Sequence, residues 1–417
     1  MTYKDFVDLK YKPRSSDLIC LFKIKPNRVS IKEAAGAVAS ESSIGTWTKV
    51  STEKKYVNKL GARVFSIKGN YIKIAYPYKL FEGGNAPNIL SSIAGNVFGM
   101  KIIKTLRLED VKFPKEVLRS FPGPRYGISG IRKLLHVKNR PLLGTIVKPK
   151  LGLKTKDHAQ VAYEAWKGGC DIVKDDENLS SQKFNDFHER IARTLEKLHK
   201  AEEETGEKKA YLVNVTAETE EMVKRAKLVE DLGGKFVMID MLTAGFAAVQ
   251  TLRKNTKLAI HAHRAMHGAF TENKDHGINM MVLADFARLV GVDSLHIGTA
   301  VGKMKGDYEE IHEIEEEIEL KKVKATKLRL EQNWGKLKPI MAVSSGGLNP
   351  VHVPYLIKHF GKDLIIQAGG GIHAHPQGTR TGAIAMRQAI EAVMKKKTLK
   401  EYSKNHEELK EALRIWE

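Results

Sequence analysis

At 417 residues, 42% apolar and 29% charged, the chain is long enough for two domains with sizeable cores, and a collagen-like, low-complexity or generally disordered chain is excluded. No apolar run reaches the roughly 20 residues of a membrane helix, and the opening MTYKDFVDLKYKPR lacks the apolar stretch of a secretory signal. Two cysteines, Cys20 and Cys170, cannot form a disulfide framework, so a reducing cytoplasm is expected.

The formal net charge of +21 raises nucleic acid first. Its distribution changes the question. Residues 1–125 carry 23 Lys+Arg against 10 Asp+Glu, whereas residues 126–417 carry 47 against 39. The N-terminal surplus is scattered as single residues, without a block of like charge or an aromatic-basic RNA-binding core. A solvated basic surface is the plain reading, and an acidic ligand or partner is the sharper one.

In the N-terminal part, DLICLFKIKP (17–26) and ARVFSIKGNYIKIAYP (62–77) alternate or run apolar with β-branched and aromatic residues, which predicts strands. SIKEAAGAVAS (30–40) predicts a helix, with Ser30 and Glu33 in capping-box order. A second helix is predicted to open at Asn88. Together these pieces predict a small α+β domain of ferredoxin-like class with an antiparallel sheet. It should end at F-P-G-P-R (121–125), because paired prolines and a glycine continue neither helix nor central strand.

From 126 to 417 the rhythm changes to short apolar runs separated by amphipathic stretches of helix length. The runs are GTIVK (144–148), DIVK (171–174), YLVNV (211–215), FVMID (236–240), LAIHA (258–262), SLHIG (294–298), IMAVS (340–344) and LIIQA (364–368). Eight β-then-α units predict a (β/α)8 barrel of the α/β class. An open doubly wound sheet would also alternate, but the first strand is not followed by G-x-G-x-x-G. EEIHEIEEEIELKKVKATKLRL (309–330) is predicted as one solvated helix, acidic to basic, with Glu317 able to pair with Lys321. Residues 395–417 read as terminal helices.

Chemistry in such barrels gathers where strands end, and here the ends are unusually polar. The first gives Lys148 and Lys150, and the second Lys174, Asp175, Asp176, Glu177 and Asn178. The fifth gives His261, His263, Arg264 and His267, and the sixth His296, Gly298 and Thr299, followed by Gly302 and Lys303. The seventh gives Ser344, Ser345, Gly346 and Gly347, and the eighth Gly369, Gly370 and Gly371. One such end would be unremarkable. Six together predict a site.

Asp176 and Glu177 offer hard oxygen ligands that suit Mg²⁺ rather than zinc. The glycine-rich ends of the last two strands offer backbone N–H groups to an anion. Arg264 and His296 are read as a second cationic pole, so the substrate is expected to be elongated with a phosphate at each end. Lys148 and Lys303, set among cations, are candidates for lowered lysine pKa values. A metal would stabilise an enediolate while a nearby base removes a proton beside a carbonyl. Lys174 is either the salt-bridge partner of the two carboxylates or, as a carbamate formed with CO2, a third oxygen ligand.

GTIVKPKLGL, GGCDIVKDDEN, HAHRAMHG, HIGTAVGKMKGD, SSGGLNPVHVP and QAGGG strongly resemble the large subunit of ribulose-1,5-bisphosphate carboxylase/oxygenase (RuBisCO). ESSIGTWT (41–48) and SSIAGNVFGMKIIKTLRLEDVKFP (91–114) resemble the family's two N-terminal active-site segments, so the likeness runs through nearly the whole chain.

The resemblance implies roles residue by residue. Lys174 would be the carbamylated activator, with Asp176 and Glu177 completing the Mg²⁺ site. Lys148 would handle protons at the enediolate with support from Lys150, His263 would stand near the hydroxyl being deprotonated, and Lys303 would orient CO2. Arg264, His296 and Ser345, with Gly346 beside them, would hold one phosphate. Thr46, Trp47, Gly347, Gly369 and Gly370, beside Gln367, would hold the other. Glu41 and Asn96 would act on the neighbouring subunit's barrel, which implies a homodimer, with higher assemblies of dimers open and no small subunit expected. The implied reaction is carboxylation of ribulose 1,5-bisphosphate to two 3-phosphoglycerate, with oxygenation as a side reaction.

Ile146 stands where plant-type enzymes carry threonine, and their longer terminal extensions are absent. Both features resemble the archaeal, form III branch, which is associated with nucleotide salvage and AMP metabolism. Three rivals remain in view. A RuBisCO-like enolase or isomerase would lose several of Asn96, Lys148, His263 and Lys303, all present here. A carbamyl-lysine metallohydrolase would place HxH on the first strand rather than the fifth. A nucleic-acid-binding protein rests on charge alone, and would show steep salt dependence.

Overall fold

The computed structural model describes residues 2–46, 48, 50–303 and 307–416. They group into two compact units, Met1–Gly123 with Met266–Val290 and Leu320–Leu337, and Pro124–Ala265 with Gly291–Glu319 and Lys338–Glu417.

In the first unit, Asp17–Pro26 is the central strand, paired antiparallel with Tyr71–Pro77 on one side and Ile103–Lys112 on the other. Arg63–Lys68 extends the first flank antiparallel, and the short Gly277–Ile278 lies parallel to Ile103–Lys112 at the other edge. Helix Ile31–Glu41 is fixed at its start by the Ser30 side chain, which accepts from Glu33 N–H at 3.2 Å. Its Ala34, Ala35, Ala37, Val38 and Ala39 are all buried. The next helix opens at Ala86, two residues before the expected Asn88, because Asn85 supplies the cap and Pro87 sits in the first turn.

In the second unit, eight parallel strands close into a barrel: Leu142–Ile146, Ile172–Lys174, Ala210–Asn214, Phe236–Asp240, Ala259–His263, Ser294–His296, Met341–Ser345 and Leu364–Gln367. The eighth returns to pair with the first, Ile365 opposite Leu142. Side chains alternate in and out along each strand. The inward set at the strand starts includes Leu142, Ile172, Ala210, Phe236, Ala259 and Met341, packed in one buried cluster with Ile131 and Leu135. Helix Gly127–Leu135 thus stoppers the N-terminal mouth, leaving the opposite mouth for chemistry.

The predicted helix over 309–330 is shorter than expected. It spans Tyr308–Glu319, and the chain then enters a small antiparallel ribbon of Lys322–Val323 with Gln332–Asn333 in the first unit. Nor is it a solvated helix, since Ile311, Ile314, Glu315, Glu317 and Ile318 are buried. The isoleucine spacing of three and four outweighs the charged composition.

Candidate active site

Strand alternation sorts the acidic run after the second strand. Ile172 points into the barrel, so Lys174 does too, and it is 1% exposed. Its Nζ donates to Asp175 O at 2.7 Å and Glu177 Oε2 at 3.3 Å, with Met238 Sδ at 3.2 Å. Asp175 turns the other way. It pairs with His158 at 3.1 Å and Arg190 at 3.4 Å and accepts from the Tyr211 hydroxyl at 2.6 Å and Asn214 N–H at 3.0 Å. Burial alone would raise its carboxyl, but Arg190 and His158 outweigh that and hold it at about 2. Asp175 is therefore the anchor, and Asp176 and Glu177 are left to face the mouth.

Each of those two carboxylates meets a lysine. Lys148 Nζ lies 2.9 Å from Asp176 Oδ2, so the nearest charge to Lys148 is a carboxylate rather than the expected second cation. Lys150 Nζ reaches Asn178 Oδ1 at 3.3 Å. Burial would raise Glu177 as well, but the Lys174 charge above all prevails and holds it at about 2. His263 Nε2 stands 3.8 Å from Glu177 Oε2, while its Nδ1 meets Asp240 Oδ1 at 3.0 Å. Among the described residues no group of three His, Cys, Asp or Glu side chains is arranged for a metal. Two carboxylates and an adjoining buried lysine nevertheless suit a hard cation once that lysine becomes an oxygen ligand.

The expected cationic pole is half right in kind. His296 Nε2 lies 2.9 Å from His261 Nε2, and His261 Nδ1 lies 2.9 Å from Ser294 Oγ, all three residues buried. Burial is the main cause that pushes both imidazoles well below the usual range. His296 is thus neutral at pH 7, a hydrogen-bonding group rather than a charge. Arg264 carries the positive charge alone, with its guanidinium passing over Gly298, where a Cβ would come within 2.6 Å of Nη2.

The glycines after the seventh strand have a further purpose. Lys303 N–H donates to Gly346 O at 3.1 Å. At Gly347, which has φ +75°, a Cβ would sit 2.8 Å from Lys303 Cγ and 2.9 Å from its N. This turn is a seat for Lys303, so its glycines are required by chain packing as well as by any anion. Ser345 is partly buried beside it. After the eighth strand Gly369 lies against the Lys148 stem, and Gly370 is exposed. Gln367 is buried, with neither side-chain amide atom hydrogen-bonded.

Within the first unit, Asn96 Nδ2 donates to Glu41 Oε1 at 3.3 Å, joining two of the N-terminal residues named from sequence. Thr46 is exposed and its hydroxyl donates to Thr48 O. Trp47 lies outside the described residues.

Two contributors escaped the sequence reading. Asp240, the last residue of the fourth strand, orients His263. Asn214, the last of the third, donates to the backbone oxygens of Glu177 at 3.1 Å and Leu179 at 2.9 Å, fixing the acidic loop. The polar residue closing each apolar run was the available signal.

Known proteins are similar to this chain over nearly its whole length. The family described as ribulose bisphosphate carboxylase large chain, catalytic domain, matches residues 127–416, and its N-terminal domain matches residues 5–117. A ribulose bisphosphate carboxylase of Methanocaldococcus jannaschii is 52% identical over 99% of this chain and 100% of its own length. That of Methanosarcina barkeri is 50% identical, covering 99% of each. Among solved structures, a dimeric archaeal Rubisco from Hyperthermus butylicus superposes with a TM-score of 0.94 at 46% identity over 99% of both chains. An octameric Rubisco from Pyrococcus horikoshii gives 0.93 at 48% identity, covering 100% of this chain and 97% of that one.

Proposed function

This chain belongs to the ribulose bisphosphate carboxylase large-chain family and is a ribulose-bisphosphate carboxylase, and from that premise we propose a Mg²⁺-dependent enzyme activated by a carbamate on Lys174. The observation that carries the proposal is the placement of buried Lys174 Nζ at 3.3 Å from Glu177 beside the Lys148–Asp176 pair. The Lys174 ammonium gives up one proton, and addition of CO2 to the neutral amine forms an N–C bond and releases a second, turning a cation that neutralises Glu177 into an anion beside it. Lys174, Asp176 and Glu177 would then hold the metal. Bound there, Mg²⁺ supplies polarisation of the substrate oxygens and stabilisation of enediolate charge.

The protein's own groups do the rest. Asp240 Oδ1 at 3.0 Å and the Ala265 N–H at 3.2 Å both meet His263 Nδ1, which fixes the ring and turns Nε2 to the mouth. That nitrogen is the base for a substrate hydroxyl. Lys148 Nζ gives and takes the proton at the enediolate carbon, with Lys150 behind it. Lys303 orients CO2 and the new carboxylate. Arg264, neutral His296 and Ser345 hold one phosphate, and Gly347, Gly369 and Gly370 with Thr46 and Trp47 hold the other. Gly346 and Gln367 shape the two ends.

Glu41 and Asn96 act on a neighbouring copy's barrel, so the working unit is a homodimer, and larger assemblies are built from dimers. Oxygenation of the same enediolate is the side reaction, and nucleotide salvage is the setting. Among the described residues no helix is long and apolar enough to cross a membrane. The test supplies ribulose bisphosphate, Mg²⁺ and labelled bicarbonate to protein preincubated with CO2 and Mg²⁺. Acid-stable labelled 3-phosphoglycerate is expected. Enolisation of another phosphorylated sugar without fixation would favour the enolase or isomerase reading instead.

A further inference from the structure

A directed run of hydrogen bonds holds the turn that follows the eighth barrel strand. The Thr145 hydroxyl donates to Ala368 O at 2.7 Å and lies 3.0 Å from His373 Nε2. His373 Nδ1 lies 3.0 Å from the Thr379 hydroxyl. A carbonyl only accepts, so the Thr145 proton is committed to Ala368 and the Thr145 oxygen must accept from His373 Nε2–H. His373 Nδ1 is then bare and accepts from Thr379. Burial is the main cause that pushes this imidazole down to about 4, against a backbone hydrogen bond with Ile146, so the ring is neutral at pH 7.

The same residue grips the turn a second time through its backbone, where His373 N–H donates to Gly369 O at 3.1 Å. Ala368 N–H is tied to Gly144 O at 3.0 Å. Ala368 therefore has both backbone polar groups fixed to the first strand, one of them through the hydroxyl that His373 orients. The next residue, Gly369, is where the Lys148 stem rests, since a Cβ there would come within 3.2 Å of Lys148 Cε.

We propose that His373 is a positioning residue for substrate binding, clasping Ala368–Gly370 by ring and backbone so that one phosphate of the bisphosphate and the stem of Lys148 share a fixed seat. The inference rests on the reading of Gly369 and Gly370 as a phosphate subsite. The hydrogen bonds of His373 to Thr145, Thr379 and Gly369 do not reach Lys174, Asp176 or Glu177.

The test uses the full-length protein with His373→Leu, of similar size but unable to bond, and His373→Gln, which keeps a donor and an acceptor. His373→Leu is expected to raise KM for ribulose bisphosphate about three- to tenfold, the scale of a lost hydrogen bond, with KM for CO2 unchanged. His373→Gln should recover most of that loss. Thr145→Val should reproduce it, and the double variant should be no worse than the poorer single one, because both cut the same run. An unchanged KM for the bisphosphate in His373→Leu, or additive effects with Thr145→Val, would overturn the proposal. Should the leucine variant fail to fold, Thr145→Val and His373→Gln carry the same comparison. Gly369→Ala separates the two readings. If it leaves the bisphosphate KM unchanged, the phosphate subsite is wrong; if it raises KM while His373→Leu does not, only the role of His373 falls.

Discussion

His263 turns Nδ1 to Asp240 Oδ1 at 3.0 Å, and Nε2 faces Glu177 Oε2 at 3.8 Å. The Ala265 N–H also reaches Nδ1 at 3.2 Å, so Nδ1 is held from two sides and the Asp240 charge favours a proton there, leaving Nε2 to the substrate. In Asp240→Asn the negative charge beside Nδ1 is lost and the amide can donate to it alongside Ala265 N–H, which favours a proton on Nε2 and weakens the base. The expected loss in kcat is about 10²-fold, within the range of general-base contributions, with KM for the bisphosphate little changed. Steady-state fixation of labelled CO2 measures both. An undiminished kcat would show that His263 is not the base.

Lys174→Ala tests activation separately from turnover. Alanine cannot form a carbamate, so the variant should show no CO2-dependent Mg²⁺ uptake and no fixation. The carbamate carbon is directly visible by ¹³C NMR with labelled CO2, and that signal should disappear with the substitution. Persistence of the signal would move the activation site to another lysine.

How far the sequence carried these assignments depended on periodicity. The eight barrel strands were legible because each is a short apolar run bounded by polar residues, and the metal-site candidates followed from the residues closing those runs. Asp240 was passed over because it counted as part of FVMID, although strand alternation already put it on the same face as Met238. His296 was misjudged as a cation because its charge depends on burial against His261, a contact between the fifth and sixth strands that spacing does not show. The helix over 309–330 was drawn too long for a similar reason. The break after Glu319 is set by pairing of Lys322–Val323 with Gln332–Asn333, and the charge pattern continues across it.

That helix also makes stability depend on pH. Burial first, with repulsion from Glu315 and Asp363, raises the Glu319 carboxyl from 4.5 to about 9. Between those values the folded state binds more protons than the unfolded one, so stability falls as pH rises through the window. Glu319→Gln removes the penalty. The variant should be more stable at pH 8 by at least about 1–2 kcal/mol, because folding of the parent must protonate a carboxyl that is ionised when unfolded, and indistinguishable from the parent below pH 4.5. Urea denaturation at pH 4 and pH 8 gives the comparison, and an equal difference at both would exclude titration of Glu319 as the cause.

Gly347→Ala probes the seat under Lys303. At φ +75° an alanine is strained, and its Cβ would meet Lys303 N at 2.9 Å and Cγ at 2.8 Å. Backbone cannot retreat as a flexible side-chain tip can, so the Lys303 segment must lift away from Gly346. The left-handed conformation alone costs about 1 kcal/mol, too little to unfold a barrel of this size. The effect should therefore appear in catalysis: kcat/KM for the bisphosphate is expected to fall at least about tenfold, while the ¹³C carbamate signal of Lys174 is retained. The two readouts distinguish a displaced Lys303 from a damaged activation site, since the first leaves the carbamate intact and the second removes it.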